Sequence, residues 1–123
     1  MVQDVSCVAG MPRFMRNERL KKRADISVVF KKGRCVFCSG AKLFILQNGL
    51  EWNRIAFTFA RKFGNAVQRN RSRRVSREAY RHLKSDLRQG FDLVLLVYPP
   101  DGRSIEDRME QLMILFKKGI VRE

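Results

Sequence analysis

Hydrophobic and polar positions follow two different periods along the chain, and each change of period marks a new predicted element. Residues 24–33, with the sequence ADISVVFKKG, predict a short helix in which Asp25 is the N-cap and Gly33 ends the last turn. The helical period turns Val29 toward the core. We therefore expect a short helix near the beginning of the folded part of the chain.

Two later stretches alternate with a period of two, which is typical of strands with one buried face. In residues 41–49, Leu43 and Ile45 point to one side, and the other side carries Lys42, Phe44 and Leu46. In residues 53–62, the bulky side carries Ile55, Phe57 and Phe59, and the small side carries Ala56, Thr58 and Ala60. Such a strand favours a core behind it and a shallow trough in front, although small residues also fit beneath a packed helix.

Three further elements complete the pattern. Residues 66–88 predict a long helix that ends before Gly90. Residues 91–100 begin with a nearly continuous apolar run, typical of a strand buried on both faces, and end in two prolines that stop it. The last helix is capped by Ser104 with the help of Asp107, and it stops at Gly119. Its apolar stripe comprises Ile105, Met109, Leu112, Met113 and Phe116.

The order of these elements, helix, strand, strand, helix, strand, helix, predicts an α+β fold. Its helices would pack as a sandwich on a mixed sheet, within one domain. Residues 1–15 show no clear period and contain Gly10 and Pro12, so we expect a flexible N-terminal arm. Residues 16–123 are then a single α+β domain, which begins with the basic segment 16–23.

Charge indicates what this domain binds. The 123 residues include 26 Lys and Arg against 12 Asp and Glu, a formal net charge of +14, while 45% of the residues are hydrophobic. A folded domain with this excess is expected to bind a polyanion. No apolar run reaches the length of a membrane span, and the N-terminus lacks the regions of a secretory signal. We therefore expect a cytoplasmic protein with no membrane partner, and no obligate protein partner is evident.

The arginines of the predicted long helix follow a regular spacing. Arg69, Arg73, Arg77 and Arg81 form an i, i+4 row, about 200° around the helix from a stripe that begins at Val67. That apolar stripe comprises Val67, Val75, Ala79 and Leu83. Solvated faces normally mix both signs of charge, but Glu78 is the only acid between residues 64 and 84. Because arginine presents a planar fork to phosphate, the row favours binding of nucleic acid.

Several observations favour RNA over duplex DNA. No helix-turn-helix pair or zinc-finger spacing is visible in the sequence. Phe44 on the first predicted strand and Phe30 on the first helix would be able to stack unpaired bases, although each ring is also a candidate for the core.

Catalytic and metal-binding residues are sparse. Cys7, Cys35 and Cys38 are expected to be free thiols, because the single C-x-x-C has no second ligand pair that would complete a zinc site. His82 is the sole histidine, and the carboxylates are scattered. The sequence therefore predicts no metal held by the protein alone and no nuclease site of its own.

Two segments resemble one family. Residues 61–81, RKFGNAVQRNRSRRVSREAYR, resemble the signature of the bacterial ribonuclease P protein component, and residues 16–34 resemble its N-terminal segment. With the spacing between them, the resemblance covers about residues 16–118. It implies a fold similar to domain 2 of ribosomal protein S5, with a left-handed βαβ crossover that the general rule opposes. It also implies an accessory subunit of an endoribonuclease, which binds a catalytic RNA and precursor tRNA. In that family the RNA, with Mg²⁺, removes the 5′ leader.

Carried over by position, the resemblance implies two sets of site residues. The RNA-binding motif comprises Arg61, Lys62, Arg69, Asn70, Arg71, Arg73, Arg74 and Arg77. The leader-binding trough comprises Phe30, Lys42, Phe44, Thr58 and Ala60. Ile26 departs from the family, which commonly has an aromatic residue there. The alternative is a ribosomal-type RNA-binding module with no role in cleavage, since the same charge pattern would fit it.

Overall fold

Four strands and three α-helices lie within residues 18–119, the part of the chain that the computed structural model describes. In chain order they are α1 (Arg23–Lys32), β1 (Arg34–Cys38), β2 (Ala41–Gln47), β3 (Arg54–Phe59), α2 (Ala66–Leu83), β4 (Phe91–Val97) and α3 (Ile105–Lys118). A short 3-10 helix, Lys84–Asp86, follows α2. The arm predicted at residues 1–15 lies outside the described residues, as does Cys7.

The four strands form one mixed sheet, which confirms the predicted α+β class. Their order across the sheet is β1-β2-β4-β3, with β3 parallel to β4 and the other two pairs antiparallel. The strand β4 lies between two neighbours, and its Leu93, Val94 and Leu95 are completely buried. This position explains the continuous apolar run in its sequence. The handedness of the β3–α2–β4 crossover stays a prediction, as does the likeness to ribosomal protein S5.

The helices cover both faces of the sheet. The larger core lies between one face and the helices α2 and α3, where Leu43 and Ile45 of β2 meet Tyr80 and Phe116. A smaller cluster lies on the opposite face, where α1 packs Val29 against Val94 of β4. The domain is thus a sandwich of helices on a mixed sheet, with a single helix on one side.

The strand β1 was not predicted as a separate element. Its sequence, RCVFC, does not alternate polar with apolar residues, and most of its side chains are exposed or half-buried. Pairing with β2 from Arg34↔Ile45 to Cys38↔Ala41 defines it instead. Because it is an edge strand, it shows little of the alternation between buried and exposed positions from which strands are predicted.

The predicted N-cap of α1 and the predicted end of α2 are wrong. Asp25 does not cap α1, because the helix already begins at Arg23. The N-cap position is occupied by Lys22, which makes no capping hydrogen bond with its side chain. Asp25 lies in the first turn, where a negative charge suits the helix dipole. The helix α2 ends at Leu83 rather than at residue 88, because the chain tightens into the 3-10 turn that follows. The predicted stops at Gly33 and Gly119 are confirmed.

The apolar faces of the two long helices differ from the predicted stripes. On α2, Val67 is 76% exposed, and Ser72 and Ser76 are buried. On α3, Met113 is 37% exposed, whereas Arg108 is completely buried. The two helices meet along small and polar residues, which a count of apolar side chains does not register. The predicted capping box of Ser104 and Asp107 is confirmed.

Candidate nucleic-acid interface

A tight turn presents the first two basic residues of the motif. Phe63 is 8% exposed, and its ring centroid lies 4.8 Å from that of Phe59, so the turn is anchored to the core. Arg61 and Lys62 are exposed beside it. Lys62 has a φ of 62°, the left-handed conformation that tight turns use and non-glycine residues seldom adopt. The turn therefore buries its phenylalanine and leaves its two cations in solvent.

The beginning of α2 is fixed by a capping box that was not predicted. Asn65 accepts a hydrogen bond from the backbone of Gln68 at 2.9 Å, and Gln68 accepts one from the backbone of Asn65 at 3.0 Å. Gly64 has a φ of 151°, and a Cβ there would lie 2.1 Å from the Gln68 side chain. Glycine is thus required at this position, and the cap sets the register from which the arginines project.

All eight predicted RNA-binding residues lie on α2 and the turn before it, but they do not share one environment. Six are exposed: Arg61, Lys62, Arg69, Asn70, Arg71 and Arg74. Arg73 and Arg77 are half-buried at the border between the helix and β3. The predicted row therefore does not run along the middle of the exposed side, because burial of Ser72 and Ser76 rotates the helix relative to the predicted stripe.

The border arginines are held by their surroundings. The Arg73 guanidinium lies 5.2 Å from the centroid of the Phe59 ring and donates a 3.0 Å hydrogen bond to Asn70. Burial lowers the pKa of Arg77, and the positive charges of Arg19 and Arg73 lower it further. Arg19 is a site residue that the sequence did not single out. Three cations thus converge at the β3 side of α2, which is favourable when an anion lies between them.

The fourth arginine of the row is already paired. The Arg81 guanidinium donates to Glu78, and His82 lies 3.3 Å from the same carboxylate. The hydrogen bond from Arg81 lowers the pKa of Glu78, and the charges of Arg81 and His82 act in the same direction. The positive row on α2 therefore ends at Arg77, one turn earlier than the spacing alone indicates.

A buried polar cluster holds α2 against α3. Ser72 donates a 2.6 Å hydrogen bond to Asp101, and the completely buried Arg108 donates to the same carboxylate and to Gln111. Burial lowers the pKa of Arg108, an effect that the neighbouring Asp101 opposes. The cluster was not predicted, because an arginine within an apolar helix stripe gives no sign of its partner across the fold. This polar cluster fixes the orientation of α2 relative to α3.

The predicted trough residues lie on one face of the sheet, on the side of α1. The strand register places Lys42, Leu96 and Thr58 in one cross-strand row and Phe44, Val94 and Ala56 in the next. The helix α1 covers the second row, where Val29 and Ala56 share the small buried cluster. The first row stays accessible. Ala56 therefore lies beneath a packed helix, as one of the two interpretations predicted, and the trough at Thr58 stays a prediction.

Aromatic and cationic side chains surround the accessible row. Phe30 and Phe44 pack edge to face with their ring centroids 4.7 Å apart, and Phe30 is 37% exposed. The Lys42 Nζ lies 5.7 Å from the centroid of the Tyr98 ring, so Tyr98 joins the predicted set. Thr58 uses its hydroxyl internally, in a 2.9 Å hydrogen bond to the Leu95 carbonyl. These contacts leave ring faces and one ammonium group for a ligand.

An ion-paired cluster closes the other end of this face. Arg54 donates hydrogen bonds of 2.8 and 2.6 Å to the two carboxylate oxygens of Asp92, and Asp25 lies 3.9 Å from Arg54. The hydrogen bond that Arg54 donates to Asp92 raises the pKa of Arg54. Asn48 donates a further 2.9 Å hydrogen bond to Asp92. The cation of this cluster, Arg54, is paired with carboxylates, whereas the cation Lys42 lies at the open end.

The strand β3 joins the two surfaces. It is the edge strand of the sheet, and its successive side chains point to opposite faces. Phe59 packs beneath Arg73 on the α2 side, while Thr58 faces the trough. The basic border of α2 and the open row of the trough are therefore separated by the width of one strand.

The remaining candidates do not form a site within residues 18–119. Cys35 and Cys38 are free, and their odd spacing places them on opposite faces of β1. Burial raises the pKa of the Cys38 thiol. In this part of the chain no three His, Cys, Asp or Glu side chains are grouped as metal ligands, and no helix is long and apolar enough to span a membrane.

Comparisons with known proteins agree with this geometry. The family model for ribonuclease P matches residues 14–118. The ribonuclease P protein component of Alkaliphilus metalliredigens is 34% identical over 98 residues, 80% of this chain and 88% of the relative. That of Thermotoga maritima is 36% identical over 83 residues, 68% of this chain and 71% of the relative.

Two solved structures have the same fold. The ribonuclease P protein of Thermotoga maritima, solved with 1-(4-fluorophenyl)-2-thiourea, is 30% identical and superposes with a TM-score of 0.74, covering 81% of this chain and 98% of its own. The ribonuclease P protein of Staphylococcus aureus is 26% identical, with a TM-score of 0.77, covering 86% of this chain and 98% of its own.

Proposed function

This chain belongs to the ribonuclease P protein family, and we propose that it serves ribonuclease P as an accessory subunit with two RNA-binding surfaces. The basic surface of α2 binds the catalytic RNA. The trough, which contains Phe30, Lys42, Phe44, Thr58 and Ala60 and is extended by Tyr98, binds the single-stranded 5′ leader of precursor tRNA. Removal of the leader is the reaction that the subunit supports.

The proposal rests on one observation, which is that the basic surface of α2 and the trough adjoin along β3. A contiguous arginine surface suits the dense phosphates of a folded RNA. Exposed and half-buried rings beside a lysine suit an unpaired strand, whose bases stack on aromatic faces and whose phosphates pair with cations. Precursor tRNA bound to the catalytic RNA would extend its leader from one surface to the other.

The reaction itself is assigned to the RNA. Within residues 18–119 the protein has no grouped carboxylates that suit Mg²⁺, which prefers oxygen ligands in octahedral geometry. The expected Mg²⁺ would therefore be held by phosphates of the catalytic RNA and the substrate. The arginines of this chain lower the repulsion between the two RNAs, and the trough positions the leader beside the bond that is cut.

Addition of the purified protein to a bacterial ribonuclease P RNA tests the proposal. At low Mg²⁺ concentration, where repulsion between the RNAs is least screened, the protein should increase the rate of leader removal and the affinity for precursor tRNA. A ribosomal-type module would bind the RNA without increasing either quantity. That outcome would contradict the proposed function and favour the alternative.

A further inference from the structure

One exposed aromatic ring on the trough face belongs to neither set of predicted site residues. Phe37 lies on the edge strand β1, directly opposite Lys42 of β2. It therefore extends the open cross-strand row of Lys42, Leu96 and Thr58 to the edge of the sheet. Its side chain is 67% exposed, far more than that of Phe30. A ring exposed to this degree, in line with a lysine on the same face, is available to stack on an unpaired base.

A lysine from the opposite side of the sheet accompanies this ring. Lys118, at the end of α3, places its Nζ 5.7 Å from the centroid of the Phe37 ring. The same ammonium group donates a 2.9 Å hydrogen bond to the Phe37 carbonyl. Ring and cation are thus fixed relative to each other, in the combination that suits a base and its phosphate.

The hydrogen bond from Lys118 to the Phe37 carbonyl also helps to decide which kind of partner this edge can bind. An added β-strand would need the outward carbonyl groups of β1, and the Phe37 carbonyl is already occupied. Pairing with a strand of a second copy is therefore disfavoured at this residue. An unpaired nucleotide requires only the face of the ring and a nearby cation.

We propose that Phe37 and Lys118 form an additional stacking site for one unpaired nucleotide of the precursor tRNA leader, at the β1 edge of the trough. The inference rests on the proposed leader-binding role of that trough. Phe37 lies diagonally across from Phe44, a relation that separates residues by about 7–8 Å in a sheet. Neighbouring unstacked bases can thus occupy the two rings, with Lys42 and Lys118 beside the phosphates.

Equilibrium binding to the reconstituted holoenzyme tests this site. Precursor tRNA with a leader of about ten nucleotides, which is within the range of about 4–16 nucleotides that single-strand-binding modules cover, is compared with mature tRNA, which has no leader. Four proteins are used: wild type, Phe37→Ala, Phe37→Tyr and Trp52→Ala. Trp52 is a matched control, since it is an exposed aromatic at 36% in the loop at the other end of β2.

Phe37→Ala should weaken binding of the long-leader substrate about fivefold or more, the effect of losing one stacked base. It should leave the affinity for mature tRNA unchanged. Phe37→Tyr, which keeps the ring, and Trp52→Ala should bind both RNAs like the wild type. Lys118→Ala should weaken binding of the long leader and lower its log–log salt slope by about 0.7, the effect of one lost contact to a single strand.

Four outcomes would overturn the inference. Wild-type affinity of Phe37→Ala for the long leader, together with a loss in Phe44→Ala, would remove this site and leave the proposed function intact. Equal affinity of the wild type for precursor and mature tRNA would contradict the proposed function itself. If the wild type sediments as a dimer and Phe37→Ala as a monomer, Phe37 serves self-association. If Phe37→Ala has a lower melting temperature and loses affinity equally for both RNAs, Phe37 serves stability.

Discussion

At the scale of single residues, the arginines of α2 differ in their surroundings, and we expect this to decide their contributions. Arg69 is exposed, whereas Arg73 lies against the Phe59 ring and bonds Asn70. A guanidinium that is already held in place loses less side-chain freedom when it meets a phosphate. Arg81, in the same row, is neutralised by Glu78.

Arg69→Ala and Arg73→Ala should each weaken binding to the catalytic RNA and make it less sensitive to salt. Each lost phosphate contact lowers the log–log slope of affinity against salt concentration by about 0.7–0.9. Arg81→Ala is the control from the same row and should leave the slope near that of the wild type. Titrations at several salt concentrations measure these slopes. Unchanged slopes for both Arg69→Ala and Arg73→Ala would place the catalytic RNA elsewhere on the protein.

Replacement of Phe44 tests the trough at the scale of one ring. Phe44 is half-buried against Phe30, so Phe44→Ala combines loss of stacking with loss of packing. Phe44→Leu keeps apolar volume and removes only the aromatic face. Both variants should bind precursor tRNA about fivefold more weakly or worse, with mature tRNA and the catalytic RNA nearly unaffected.

A melting curve beside these measurements separates stacking from stability. Equal losses for precursor and mature tRNA in Phe44→Leu, with the melting temperature unchanged, would exclude a leader-binding role for Phe44.

At the scale of elements, the packing of α2 on α3 decides which arginines of α2 are exposed. The contact uses Ser72 and Ser76 on one helix and Arg108 on the other, with Asp101 between them. The rings of Tyr80 and Phe116 also meet between these helices, with their centroids 6.3 Å apart, and the buried ion pair fixes the rotation of α2. A rotation of α2 by one residue, about 100°, would turn the exposed arginines away from their present side.

Removal of one partner from this contact should be costly. Asp101→Ala leaves the guanidinium of Arg108 buried without its counter-ion, and breaking a buried pair in this way lowers the free energy of unfolding by about 3–5 kcal/mol. Replacing both partners, Asp101→Ala with Arg108→Met, should recover a large part of the loss, because no unpaired charge remains. Urea unfolding of the three proteins measures the difference. Equal stability of Asp101→Ala and the wild type would show that the pair does not hold α2 in place.

At the scale of the whole molecule, the two proposed RNA-binding surfaces lie on different faces of one sheet. Tight packing between α2, α3 and the sheet makes the basic surface rigid, whereas only the short helix α1 covers part of the opposite face. The edge strand β3 is common to both. We therefore expect that mutations can weaken the binding of folded RNA and the binding of a single strand separately, although the two surfaces adjoin at β3.

Protein that is rigorously free of RNA should not cleave precursor tRNA at any Mg²⁺ concentration. The reason is chemical, since metal-assisted cleavage needs grouped ligands, and residues 18–119 contain no group of three or more His, Cys, Asp or Glu side chains that could hold a metal ion. The assay follows release of the leader from end-labelled precursor tRNA, with the reconstituted holoenzyme as the positive control. Correctly placed, metal-dependent cleavage by the protein alone would contradict the assignment of the chemistry to the RNA.

The sequence by itself determined the elements whose patterns are local. Alternation along β2 and β3, the continuous apolar run of β4 and the caps of α3 depend on neighbours within a few residues. The motif that begins at Arg61 is equally local, so the RNA-binding residues and the family were predicted from the chain alone.

Only the tertiary structure decided which of these residues meet. The edge strand β1, the rotation of α2 and the buried pair of Asp101 and Arg108 depend on partners that lie far away in the sequence. The position of Phe37 beside Lys42 and Lys118 likewise follows from strand pairing and from the end of α3. Periodicity indicates which side of an element is apolar, but it does not indicate which other element packs against that side. For this reason the outer edge of the trough could not be predicted from the sequence.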